Sequence, residues 1–228
     1  EQVLDAIPNA IFFAKDVNLR YVAANQAMLR LCGLKRREEL VGRTAADFFS
    51  DDASERYEAL DRRVVRTGLR SQGSLGLSAP KRGRQTWLLC SHWPIRGVNG
   101  ELLGSTGVSV RLDTGGRRGH VYRRTAAAIE AMKLKPQSHL SVGALAQVAG
   151  VSTSQVERDF LGLFGVSPLK YQTRLKIEAS LDLLKHMPIT QVALACGYSD
   201  QSAFSRQFRS VVGLSPAQYH RSLVRPQC

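Results

Sequence analysis

"FLGLFGVSPLKY" fills residues 160–171 and "FRSVVGLSPAQY" fills residues 208–219, so the pattern F-x-x-x-x-G-x-S-P-x-x-Y is written twice, 48 positions apart. Pro168 and Pro216 suit the first turn of a helix, so each copy predicts a helix starting at its proline. The repetition reaches further back. Val142, Leu145, Ala146 and Ala149 form an i, i+3, i+4, i+7 apolar stripe, and Ile189, Val192, Ala193 and Cys196 repeat it 47 residues later. Each stripe meets a glycine, Gly150 or Gly197, which permits a tight left-handed turn. A serine follows two residues on, Ser152 or Ser199, placed to cap the next helix. The second copy holds one extra residue before Phe208, so the offset grows from 47 to 48.

In the second helix of each unit, Val156, Phe160 and Leu163, then Phe204, Phe208 and Val211, fall on one side and are expected to face inward. The opposite side carries Ser154, Glu157 and Arg158 in the first copy and Gln201, Ser202, Ser205 and Arg206 in the second. A short helix, a glycine turn and a helix with a polar outer face make a helix-turn-helix, whose second helix fits the DNA major groove. The units span about 141–164 and 188–212. Two of them held roughly 34 Å apart read successive major-groove segments on one face of a duplex. The helix expected at 167–185 is the spacer, of order 28 Å long. Helices are also expected at about 119–133 and 216–223, Pro136 ending the former.

Charge agrees with this division. Residues 114–228 carry 15 Lys and Arg against 6 Asp and Glu, whereas residues 1–113 carry 17 against 13. A basic half beside a nearly balanced one points to a polyanion-binding module joined to something else. No apolar run approaches the eighteen or so residues of a membrane span, and no signal-peptide pattern opens the chain. The four cysteines form no C-x-x-C pair, which argues for reduced thiols in a cytoplasmic protein and against a metal site.

The stretch from "ALAQVAGVSTSQVERDF" through "ACGYSDQSAFSRQFRSVVGLSPAQY" resembles the AraC/XylS family of transcription regulators over residues 120–223. That resemblance implies an all-α, seven-helix double helix-turn-helix that binds double-stranded promoter DNA. Base contacts would come from Ser154, Glu157, Arg158, Gln201, Ser202, Ser205 and Arg206. Thr153, Lys170, Arg174, Ser199 and Arg209 are the phosphate candidates, although Arg174 could equally brace the scaffold through a carboxylate. Recruitment of RNA polymerase would be the output. Two positions depart from the family: His220 stands where an arginine usually follows the final tyrosine, and Ser154 where a large side chain is common.

The first half reads β-β-α-α-α-β-β-β. "AIFFA", a polar turn "KDVNLR" and "YVAAN" make a strand–turn–strand. Three helical segments follow, the longest at 53–68. Then come "SQGSLGLSA", "RQTWLLCSHWPI" and "ELLGSTGVSVRL", the last two joined at Asn99-Gly100, a hairpin signal. K-D-x-x-x-R-Y, the pair Asn25 and Ala27, Gly33 and "EELVGRT" resemble a PAS domain over residues 1–112. The resemblance implies an α+β fold, a five-stranded antiparallel sheet with helices, that senses a small molecule or forms a homodimer. "DTGGRRGH" begins at 113, and residues 113–119 read as a linker.

Period-2 alternation puts Trp87, Leu89, Ser91 and Trp93 on one face of their strand and Leu88, Cys90 and His92 on the other. The candidate ligand pocket comprises Phe13, Trp87, Leu89, Ser91, His92 and Trp93, with whichever of Ser91 or His92 faces inward as the recognition group. The alternative is a filled core with His92 bonded locally. No cofactor is expected. A flavin adduct needs an Asn-Cys-Arg-Phe stretch, which is absent, and helix 53–67 holds no His, Cys or Met to ligate haem. No zinc-bound cysteine cluster for alkyl-transfer repair exists, nor a nucleophile–base–acid set or phosphate loop, so the expectation is a regulator and not an enzyme. A protein–protein adaptor that has lost DNA affinity is the rival reading.

Overall fold

The computed structural model describes residues 5–7, 9–112, 118–134 and 138–224, without the side chains of 222–224. The chain divides into two compact units, Glu1–Gly119 and His120–Cys228.

In the first unit, strands β1 (Ala10–Asp16), β2 (Tyr21–Ala24), β3 (Ser71–Ser78), β4 (Thr86–Arg96) and β5 (Leu102–Arg111) form one antiparallel sheet in the order β2-β1-β5-β4-β3. The β4–β5 connection is longer than the two-residue turn that Asn99-Gly100 signals: Gly100 N donates to Gly97 O, and Gly100, at φ 84, is left-handed while Asn99 is not. Two α-helices follow β2: α1 (Gln26–Cys32) and α2 (Asp51–Thr67). Between them lie single 3₁₀ turns at Arg37–Glu39 and Ala45–Asp47, where the sequence predicts a third helix. Gly42, at φ 82, breaks that segment, and each short turn closes on its own acidic residue through a capping box.

Asn25 ties α1 to the sheet. Its Oδ1 accepts from Phe12 N and from Met28 N at the start of the helix, while its Nδ2 donates to the Ala10 carbonyl at 2.8 Å. One buried amide thus caps a helix and joins it to β1. Ile11, Phe13, Met28, Leu29, Leu40, Phe49 and Leu88 build the core between sheet and helices. Opposite Phe13 in the ladder stands Gly107, and a Cβ there would collide with the Phe13 ring.

The second unit is all helical: α3 (Arg118–Leu134), α4 (Val142–Ala149), α5 (Thr153–Phe164), α6 (Pro168–Leu183), α7 (Ile189–Ala195), α8 (Gln201–Val212) and α9 (Pro216–Val224). Helix α3 opens at Arg118, so it takes the last two residues of the expected linker. Residues 113–117 and Pro136 lie outside the described residues. The spacer α6 has 16 residues, shorter than predicted and about 24 Å long, and it packs against α5, α7 and α8.

The duplicated phrase is a corner. Gly165 (φ 69) and Gly213 (φ 85) end the second helix of each unit in the left-handed conformation. Ser167 Oγ then accepts from Lys170 N, and Ser215 Oγ from Gln218 N, starting the next helix. The phenylalanine and tyrosine meet across the bend, with ring centroids 5.4 Å apart for Phe160–Tyr171 and 5.7 Å for Phe208–Tyr219. Every fixed letter of the pattern but the spacer positions has a task in that bend. Val211 departs from its expected inward place and is 38 % exposed; Val212, one residue on, is half-buried instead. Cys32, Cys90 and Cys196 are free and buried.

Candidate nucleic-acid interface and a buried cavity

Both units turn from their first to their second helix in the same way. Gly150 (φ 66) and Gly197 (φ 75) are left-handed, and the next residue bonds back to the first helix: Val151 N to Ala146 O at 3.1 Å, Tyr198 N to Ala193 O at 3.0 Å. The caps differ. Ser152 caps α5 through Gln155 N, but α8 is capped by Asp200, which accepts from Ala203 N at 2.7 Å. Ser199, the expected cap, donates instead to Asp200. The extra residue of the second copy therefore enters before the cap, and the 48-residue register begins there.

With Val156, Phe160, Phe204 and Phe208 buried, Ser154, Glu157, Arg158, Gln201, Ser202 and Arg206 are exposed, and Ser205 is half-buried. Gln201 Oε1 accepts from Thr190 Oγ1 on α7 at 2.7 Å, which draws it toward its own unit. Ser154, Glu157 and Arg158 border one shallow surface depression together with Leu161. Among the phosphate candidates Thr153, Lys170, Ser199 and Arg209 are exposed. Arg174 is not: its guanidinium lies 4.6 Å over the Tyr171 ring and its Nε is 3.9 Å from Glu178, so it braces α6.

In the first unit, Leu88, Cys90 and His92 face the helices, while Trp87, Leu89, Ser91 and Trp93 are half-buried on the other face of the sheet. A cavity of about 20 Å³ lies on the helix side, bordered by Phe13, Lys15, Tyr21, Phe49, Tyr57 and His92. That volume is room for one water.

A family profile described as the PAS fold matches residues 4–119, more than half of the chain. The chain belongs to the PAS-fold family. A second profile, described as a helix-turn-helix domain, matches residues 145–222. The "probable transcriptional regulator LumQ" of Photobacterium leiognathi is 36% identical over 85 residues, 36% of this chain and 34% of that protein. A "putative AraC-like transcription regulator" of Streptomyces antibioticus is 33% identical over 98 residues, 42% of this chain and 32% of that protein. The chain thus spans about a third of the length of the curated relatives it matches, and its helical unit is similar to the helix-turn-helix domains of AraC-like regulators. Among solved structures, an AraC-type DNA-binding regulator from Chromobacterium violaceum is 29% identical over 46% of this chain and 95% of that one, with a TM-score of 0.44. A Vibrio cholerae VqmA dimer is 22% identical over 96% and 83%, with a TM-score of 0.44.

The residues of the expected pocket divide between the two faces of the sheet. Of its six residues, Phe13 and His92 border the cavity; Trp87, Leu89, Ser91 and Trp93 lie across the sheet from it. His92 can turn inward because α2 brings it a partner. Asp61 Oδ1 sits 2.8 Å from His92 Nδ1 and accepts from Ser105 Oγ at 3.0 Å, while Asp61 Oδ2 accepts from Lys15 Nζ at 2.6 Å. Lys15, Asp61 and His92 are all 1 % exposed or less. Burial opposes charge on both acid and base, but their mutual bond prevails: Asp61 is drawn down to about 2, with Lys15 adding to the effect, and His92 is carried up to about 9, with Cys90 adding to the effect. A carboxylate only accepts, so Nδ1 holds a proton in either state, and below about pH 9 Nε2 is a donor as well. Nε2 is buried without a hydrogen-bond partner.

Neither Lys15 nor Asp61 was singled out from sequence, where Lys15 reads as the start of a polar turn. A signal exists for each. Ile11, Phe13 and Lys15 alternate on one strand face, and Ser54, Asp61 and Val64 fall on one buried stripe of α2 at helical spacing.

Proposed function

We propose that this chain is a sequence-specific, DNA-binding transcription regulator in which the PAS unit senses a small molecule and supports a homodimer. The observation that carries the reading is the pair of glycine-turned helix pairs, each burying its aromatic side and leaving a polar second-helix face bare. Arg158 and Arg206 read guanine through O6 and N7, with Ser154, Glu157, Gln201, Ser202 and Ser205 as neighbouring base contacts. Thr153, Lys170, Ser199 and Arg209 position the helices on phosphates. A homodimer would set two helical units on paired half-sites of promoter DNA in the cytoplasm, with RNA polymerase as the downstream partner. The apolar outer face of the sheet, where Val22 and Val110 are exposed, supports a dimer through that face. Among the described residues no helix is long and apolar enough to cross a membrane.

In the PAS unit, His92 is the recognition group. His92 borders a cavity walled by aromatic rings and its buried Nε2 has no hydrogen-bond partner, which suits a small ligand carrying an acceptor oxygen or nitrogen. A ligand larger than a water requires those walls to open.

Selection of bound sequences from a random duplex pool tests the DNA reading, followed by affinity measurements at several salt concentrations. The expected result is one enriched motif with two read segments and a steep loss of affinity with salt. No enrichment and a flat salt dependence would sink it. Native mass spectrometry of the full chain reports any retained ligand and the oligomeric state.

A further inference from the structure

Arg158 is an exposed side chain, yet it is not left to wander. Its Nη2 donates to Gln155 Oε1 at 2.8 Å, Gln155 Nε2 donates to Asp159 Oδ1 at 2.7 Å, and Asp159 accepts two bonds from Arg124 of α3, Nε to Oδ2 at 2.6 Å and Nη2 to Oδ1 at 2.9 Å. The side chains of Asp159 and Arg124 are 7 % and 23 % exposed, so the inner end of this series is largely out of water.

We propose that Arg124 is a specificity-positioning residue for the first reading helix: through Asp159 and Gln155 it fixes the direction of Arg158 before DNA arrives. The inference rests on the reading of α5 as a DNA reader.

The polarity of the bonds makes the argument. A carboxylate offers only acceptors, so the Gln155 amide must turn its NH₂ toward Asp159 and its oxygen outward. An outward oxygen is what an arginine needs. Reverse the amide, and it presents a second donor to Arg158 and repels it. The Arg124–Asp159 fork thus selects one of two amide orientations, and that orientation decides whether Arg158 is held. An exposed Gln–Arg bond alone would be weak, because both side chains have water as an alternative; anchoring its inner end removes one of the two freedoms. Holding Arg158 through a single N–H leaves four others, enough for a bidentate contact with guanine while the tether persists. The benefit is a smaller ordering cost on binding.

The second reading helix is an internal control. Forty-eight positions on, Ala203 and Gln207 stand where Gln155 and Asp159 stand. Among the described residues no hydrogen bond holds the Arg206 side chain.

The test uses the full chain and the duplex obtained by selection. Affinity is measured for that duplex, for variants with each first-segment and second-segment base pair replaced, and for random DNA, together with the thermal midpoint. For Arg124→Gln the expected result is a loss of about tenfold in preference at the base pairs read by Arg158, with second-segment preferences unchanged. Those second-segment preferences double as the check that the domain is folded. The decisive variant is the exchange Arg124→Asp with Asp159→Arg. It restores the ion pair, but residue 159 now donates, so the Gln155 amide must reverse. The exchange is expected to recover the thermal midpoint and not the first-segment preference. Recovery of both, or an Arg124→Gln protein that keeps its first-segment preference, overturns the inference. If instead Arg158→Ala leaves first-segment preferences of the otherwise unaltered chain as they were, α5 is not a reader, and that reading falls together with this one.

Discussion

Among the described residues each unit of the chain keeps one aspartate out of water, and the two are satisfied in opposite directions. Asp61, in the PAS unit, gathers Lys15, His92 and Ser105, all of them buried; the series of bonds ends at His92 Nε2, still inside the protein. Asp159, in the helical unit, takes Arg124 from the inside and passes the series outward through Gln155 to Arg158 on the surface. The difference is one of depth. A charge network wholly inside an apolar core can only communicate with what enters that core. One anchored at the edge can orient a side chain for a partner outside. Depth also sets what each costs to break, because a stranded ion at the edge can turn to water and a stranded ion in the core cannot.

The largest effect should follow from removing each carboxylate in turn. Asp61→Ala leaves Lys15 buried without a counter-charge and should lower stability by about 3–5 kcal/mol. Asp159→Ala leaves Arg124 with a route to solvent and should cost about 1–3 kcal/mol. Trp87 and Trp93, the two tryptophans of the chain, both lie in the PAS unit, so denaturant unfolding followed by tryptophan fluorescence reads that unit, and circular dichroism at helical wavelengths reads both. Equal costs for the two variants would break the contrast of depth.

Next in size is a loss of stability at alkaline pH that belongs to the PAS network. His92 stands at about 9 in the fold against 6.5 ordinarily, so its contribution is whole below about pH 6.5 and is lost as pH rises through about 9. Asp61 stands at about 2 against 3.8, so its contribution is whole above about pH 3.8 and is lost as pH falls toward 2. The alkaline loss is on the order of 3 kcal/mol. It should vanish in His92→Gln, whose amide cannot titrate, and tryptophan fluorescence should report it. The Arg124 network has no alkaline counterpart, since a guanidinium stays charged throughout. An unchanged alkaline loss in His92→Gln would remove His92 from the account.

The smallest effect sharpens the comparison from the second reading helix, where Gln207 stands in the place of Asp159. Arg206→Ala should lower affinity for the selected duplex by about 1–3 kcal/mol and affinity for random DNA far less. Equal losses on both would make Arg206 a phosphate contact. Lys170→Ala offers the opposite pattern for comparison, a uniform loss with a salt slope shallower by about 0.9.

Much of this was legible in the sequence, and the failures have physical causes. The duplicated phrase announces both corners because glycine, serine, proline and the Phe–Tyr pair each answer to local geometry. The β4 alternation divides its residues correctly into two faces but does not say which is inner. Each face carries one polar residue, Ser91 or His92, and Leu88, Cys90 and His92 face the helices, where Asp61 arrives from a helix 31 residues away to satisfy His92. The cap of α8 was misplaced by one residue, since Ser199 and Asp200 are both good caps and only the structure shows where the helix begins. Arg124 and Asp159 are 35 residues apart, and no local pattern pairs them. What sequence yields here is periodic or local; what it withholds is which distant charge will neutralise which.

The Phe13 ring rests directly against the backbone of Gly107, in a space that a single methyl group would close. It is also one wall of the water-sized hollow beside His92. On its other side the ring has the floor of β5 beneath it. β5 is the final strand of the sheet, the one from which the chain departs toward α3. A guest that displaces the Phe13 ring would therefore press on that departing strand.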